Sequence, residues 1–216
     1  MKITLSSLLL TLFIIITTTF SHLSATVDVI YDSAGNKLLN GIPYYILPLL
    51  RGTGGGLTLS SNINNNNTCP LALTQEPFEL SYGVPFIITP IVFDEDFIRE
   101  SYPVSIKADI VADPCQGSKI WKVATGDVVG VTLGGVLNTP ESCFQVVEDD
   151  MMPGLRSYQI QHCPFKCGLN SSTSFSCYNI GVVSGAGGKG FLAPTDVIFP
   201  VVFANSFGGT SVVQSL

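Results

Sequence analysis

The chain has 216 residues, with 10 Lys and Arg against 16 Asp and Glu and a formal net charge of −6. Charged residues make up only 12% of it, about half the quarter usual for a soluble domain, so Ser, Thr, Asn and Gly must cover much of the surface. The acidic balance speaks against nucleic acid and anionic membranes as partners.

Residues 1–25 read as a cleaved secretory signal. Met1-Lys2 gives a small positive start, residues 5–20 are apolar and threonine-rich, and Ala25 is a small residue at a fitting cut site. A membrane anchor would want a basic flank after the apolar run, and Asp28 follows instead. Residues 26–216 suit one domain with a real core, with 205–216 expected as a flexible tail. Without Lys2 this part carries nine basic against 16 acidic residues, a net −7. Its cysteines are Cys69, Cys115, Cys143, Cys163, Cys167 and Cys177, an even set in a chain routed to an oxidising compartment, which points to disulfides. Asn66-Asn67-Thr68 and Asn170-Ser171-Ser172 make Asn66 and Asn170 candidate glycosylation sites.

After the signal, helical periodicity gives way to short Val-, Ile-, Phe- and Tyr-rich runs between Gly, Pro, Asn and Ser clusters. In chain order they are "YYILPLL", "GLTLS", "FELSYG", "PFIITPIVF", "YPVSIKADIV", "IWKVAT", "CFQVVE", "YQIQHC", "IGVVSG" and "DVIFPVVFA". About a dozen such segments predict an all-β sandwich or barrel. Tyr44-Tyr45-Ile46, Tyr102-Pro103-Val104 and Tyr158-Gln159-Ile160 start 58 and 56 residues apart. A threefold period of about 57 residues, with four strands per unit, favours a β-trefoil of about twelve strands. Such a barrel, capped by three hairpins, closes on itself and leaves no free edge.

One run ends unlike a strand. In "TPIVFDEDFIRES", Asp94, Glu95 and Asp96 stand between Phe93 and Phe97, too acidic for half-buried alternation and too rich in Pro and β-branched residues for a helix start. It reads as a connection between strands. Catalysis is not expected. Residues 26–216 hold one histidine, His162, beside Cys163, so a Ser-His-Asp or Cys-His hydrolase lacks a placed base. Glu148, Asp149 and Asp150 read as a solvated turn. Residues 52–56 are no phosphate loop, since neither Lys-Ser/Thr nor a helix follows. No cofactor and no metal site is expected.

The segment "VIYDSAGNKLLNGIPYYILP" resembles the opening motif of the plant Kunitz inhibitors, the soybean-trypsin-inhibitor-like family. It carries Ile30 and Asp32, Gly35 and Asn36, Leu38, then Tyr44 and Ile46; Ala34 stands where the family usually has a polar residue. The likeness continues through "RGTGGGLTLS", "TCPLALTQ", "IWKV", "YQIQHCP" and "SCYNIGVV". The family's basic C-terminal hairpin is missing, and "GAGGKGFLAP" occupies its place.

This resemblance implies a secreted, monomeric β-trefoil, extracellular or vacuolar, that inhibits a protease. It implies disulfides Cys69–Cys115 and Cys163–Cys177, leaving Cys143 for Cys167; Cys163–Cys167 with Cys143–Cys177 stays open. It places the inhibitory loop on Pro90, Ile91, Val92, Phe93, Asp94, Glu95, Asp96 and Phe97, the acidic stretch above, with Asn40 as the residue that supports the loop backbone. Counted without a gap from Cys69, Phe93 enters the protease's primary pocket; an insertion of one residue would put Asp94 there. Phe suits a chymotrypsin- or subtilisin-like pocket rather than trypsin, whose buried carboxylate wants Arg or Lys. The alternative is a non-inhibitory trefoil with a storage, binding or taste-modifying role, or an inhibitor of cysteine or aspartic proteases.

Overall fold

In chain order the strands are β1 (Pro43–Pro48), β2 (Leu57–Ser60), β3 (Ala72–Gln75), β4 (Phe86–Pro90), β5 (Val104–Ala108), β6 (Lys122–Ala124), β7 (Gly130–Thr132), β8 (Phe144–Glu148), β9 (Tyr158–His162), β10 (Tyr178–Ser184), β11 (Gly190–Pro194) and β12 (Val201–Asn205). This computed structural model describes residues 28–61, 69–92, 95–124, 129–149, 151–152, 155–168, 175–185 and 188–208, none of them α-helical.

Six strands pair in the order β12-β1-β4-β5-β8-β9, and a β9–β12 bridge, Tyr158 opposite Val201, closes the ring. The other six form the hairpins β2–β3, β6–β7 and β10–β11, with β3 touching both β7 and β11. This is the β-trefoil. Alternation supplies the reason: Ile46, Ile88, Ile106, Val146, Ile160 and Phe203, one from each barrel strand, point inward and are at most 3% exposed. Burying each such side chain contributes roughly 1.5–3 kcal/mol. Trp121 fills the centre, edge-on to Phe86 at 5.1 Å and to Phe144 at 5.9 Å.

The period read from the tyrosines is structural. The triplet at 44–46 lies in β1, that at 102–104 leads into β5, and that at 158–160 opens β9, the first strands of the three units. Their third residues, Ile46, Val104 and Ile160, are all core. The Tyr44 and Tyr158 hydroxyls accept the backbone N–H groups of Leu39 (3.0 Å) and Tyr31 (2.9 Å), tying the N-terminal segment across the barrel.

Two expectations are corrected. The run "FELSYG" is a turn, with Phe78 75% and Leu80 85% exposed, because its backbone is spent on the glycine loop before β2: Gly55 donates to Glu76 O and Gly56 to Ser81 O, each at 2.8 Å. Nor does a tail begin at 205. Asn205 pairs with Tyr44, and Ser206 Oγ donates to Pro43 O at 2.8 Å. Residues 209–216, residues 1–25, where a signal is expected, and both sequon asparagines, Asn66 and Asn170, lie outside the described residues. The six cysteines form Cys69–Cys115, Cys143–Cys167 and Cys163–Cys177, which decides between the two open pairings.

Candidate functional site

Asp32 begins the local logic. Its buried carboxylate accepts the N–H groups of Ala34 (3.0 Å) and Asn36 (2.8 Å), and Gly35 takes φ +87°, so "DSAGN" reverses the chain. Leu38 then returns beside Ile30, donating to its carbonyl at 2.8 Å. The segment after the acidic run joins them: Ile30 donates to Ile98 O (3.0 Å) and Ile98 to Leu38 O (2.8 Å). Ile30, Leu38 and Ile98 are at most 1% exposed, so this small layer plugs into the core and fixes whatever immediately precedes Ile98.

What precedes it is the loop. Asn40 holds it twice: its backbone N–H donates to Asp96 O at 2.9 Å and its side-chain Nδ2 to Glu95 O at 3.1 Å. On the other side Pro90 pairs with Val104, and Ile91 donates to Pro103 O at 3.0 Å. Between these anchors come Val92, 55% exposed, then Phe93 and Asp94, which lie outside the described residues. The Cys69–Cys115 bond encloses β3, β4, the loop and β5 in one ring of sequence separation 46, worth roughly 4 kcal/mol by chain entropy.

The acids after Phe93 are not all solvated. Glu95 pairs with Arg99 Nε. The Phe97 ring has Lys37 Nζ 4.8 Å and Arg99 Cζ 5.1 Å from its centroid, contacts worth about 0.5–1 kcal/mol each at exposed sites. Asp96 remains exposed. Sequence reasoning missed this cluster, since a Glu and an Arg four apart signal a contact only where a helix is expected.

A family model described as "Trypsin and protease inhibitor", the legume Kunitz type, matches residues 30–205. The chain belongs to the legume Kunitz family. Among its relatives, Kunitz trypsin inhibitor 5 of Arabidopsis thaliana is 31% identical over 214 residues, covering 93% of this chain and 100% of that one. Bark lectin isoform 1 of Crateva tapia is 31% identical over 176 residues, covering 79% and 99%. The solved bifunctional α-amylase/subtilisin inhibitor of Oryza sativa shares the fold at TM-score 0.65 and 26% identity, covering 82% of this chain and 98% of its own. The legume Kunitz description is of inhibitors rather than enzymes, yet its members' names span several targets, so the fold does not name this one's.

Elsewhere in this Kunitz chain the polar candidates have structural work. Asp149 is 3% exposed, which corrects the solvated-turn reading: it accepts Gln159 Nε2 at 3.0 Å and Ser157 Oγ at 3.4 Å, bracing the β8–β9 connection. Asp150 lies outside the described residues. His162 lies tilted against Phe144, ring centroids 5.5 Å apart, and shares a hydrogen bond of 2.9 Å with Pro140 O; burial lowers its pKa. Glycines 54–56 serve close packing, not phosphate: a Cβ on Gly56 would stand 2.1 Å from Tyr82 O.

Proposed function

We propose that this Kunitz protein is a secreted inhibitor of a serine endopeptidase, which engages residues 90–97 as a substrate-like loop with Phe93 in its primary pocket. The observation that carries the reading is the double grip of Asn40 on Glu95 and Asp96. A loop already held in one shape loses little entropy on binding, and a cut loop would keep its ends in place for religation. Between the anchors at Ile91 and Glu95, this reading offers Val92, Phe93 and Asp94 to the enzyme. Of these, Phe93 best fills an apolar chymotrypsin- or subtilisin-like pocket, whereas in trypsin it would leave the pocket carboxylate unpaired. Signal removal after Ala25, sugar on Asn66 and Asn170, a monomeric state and an apoplastic or vacuolar site complete the proposal. A second reading, a trefoil that binds something other than a protease, draws support from the lectin among the relatives.

Phe93→Arg separates the two. The guanidinium pairs with the trypsin pocket carboxylate, so trypsin inhibition should appear, while chymotrypsin-like inhibition weakens by about 2–4 kcal/mol, the scale of a lost anchor. Inhibition constants against trypsin, chymotrypsin and subtilisin measure it. If both values stay at those of the parent chain, the loop assignment fails and the binding reading gains.

A further inference from the structure

The turn at 76–83 leaves apolar surface outside the core. Its exposed Leu80 and Tyr82 line a groove together with Leu47, Leu49 and Leu50, from the end of β1 and the connection after it, and Val202 of β12. The groove has a volume of about 660 Å³, inside the range of roughly 300–1,000 Å³ typical of small-molecule sites. Its backbone frame is tied from several directions. Leu49 donates to Pro200 O at 2.9 Å, Thr53 Oγ1 to Leu50 O at 2.7 Å, and Gly56 to Ser81 O at 2.8 Å. Tyr82 meets Tyr45 edge-on, ring centroids 5.3 Å apart. Two charged residues line the groove, Arg51 and Glu79. Glu79 Oε1 already accepts the Gly52 N–H at 2.9 Å. The exposed Arg51 guanidinium has no ion-pair or hydrogen-bond partner among the described residues.

We propose that this groove binds an amphipathic monocarboxylate of the fatty-acid class, its hydrocarbon chain laid along the leucines and its carboxylate paired with Arg51. The chemistry of the lining selects that class. Beyond Arg51, Glu79, Ser81 and the Tyr82 hydroxyl it offers no polar side chain, too few to satisfy the hydroxyls of a sugar. The aliphatic residues reward a chain of methylene groups by the area they jointly remove from water. Arg51 supplies the unspent positive charge, in a fork that matches a carboxylate, whereas the Glu79 carboxylate is engaged by the wall itself. A tied frame loses little freedom when the ligand enters. The groove opens where β1 ends, and Asn40 stands before β1 begins. That strand separates the two by roughly 17 Å, so an occupied groove leaves residues 90–97 uncovered.

The test titrates dodecanoate, below its micelle point, into the full disulfide-bonded chain in a calorimeter, with dodecyltrimethylammonium as the same tail bearing the opposite charge. Dodecanoate should bind with 1:1 stoichiometry and more tightly than the cation. Arg51→Gln should weaken dodecanoate roughly tenfold, the scale of one charge-assisted pair. Glu79→Gln keeps an acceptor for Gly52 but removes the competing negative charge, so it should tighten dodecanoate and weaken the cation. Leu80→Ser should weaken both tails alike. All three positions are exposed, so the fold tolerates the changes. Absence of saturable binding, equal binding of the two tails, or dodecanoate affinity unmoved by Arg51→Gln overturns the proposal. Loss of chymotrypsin inhibition on saturation with dodecanoate also overturns it, since the ligand would then lie on residues 90–97. The calorimetric arm needs no protease, so a failure of the inhibitor reading is told apart from a failure of this one.

Discussion

Asn40 supplies two donors to adjacent carbonyls, one from its backbone and one from its side chain. Only the second depends on the residue type. Asn40→Ala should therefore loosen Glu95 while Asp96 stays tied, a loss of about one neutral hydrogen bond, near 1 kcal/mol. That corresponds to a roughly fivefold weaker inhibition constant for whichever enzyme occupies residues 90–97, together with faster cutting of the loop on long incubation. Both are read from progress curves with chymotrypsin. Unchanged values would mean that the Asn-Gly pair is only a turn. Asn40 was legible because it sits in a quoted motif. Lys37 and Arg99 were not, since their meeting at Phe97 depends on the return of the chain around Asp32.

Element by element, alternation made the barrel strands legible, while the hairpin cap was harder. β3 and β7 are short, Ala72–Gln75 and Gly130–Thr132, β11 opens on a glycine, Gly190–Pro194, and the three pack against one another rather than showing one wet face. "FELSYG" erred the other way, its aromatics suggesting a strand where glycine-lined contacts dictate a turn. Those contacts are testable. Gly83 has φ +74°, and an added Cβ would lie 2.0 Å from Leu57 O; Gly52 has φ +82° with nothing within 4 Å. Gly52→Ala bears only the left-handed backbone cost, about 1 kcal/mol, whereas Gly83→Ala adds a clash with fixed backbone and should cost roughly 2–4 kcal/mol. Urea unfolding of both variants measures the difference. Equal costs would show that the 76–83 turn yields freely.

At the scale of the whole molecule, the closed barrel turns the burial of one imidazole into a pH dependence of folding. His162, at 8% exposure, faces Phe144 from β8, the Pro140 carbonyl and the nearby Glu141. Desolvation lowers its pKa more than that carbonyl and Glu141 raise it, so the folded state favours the neutral ring. The unfolded chain takes up its proton near the ordinary value of about 6.5, before the folded one does. Stability from this group is therefore complete above that value and is lost as pH falls from it toward the lower folded pKa. Lys166, also lowered by burial, and Tyr44 and Tyr158, raised by burial, act through linkage only at alkaline pH. His162→Gln keeps a donor for Pro140 O but cannot titrate. Its urea stability should run parallel to that of the parent above about pH 7.5, and the parent should lose the more stability on acidification below about pH 6.5. Curves that stay parallel to pH 5 would mean that the barrel opens enough at Pro140 to solvate the charged ring.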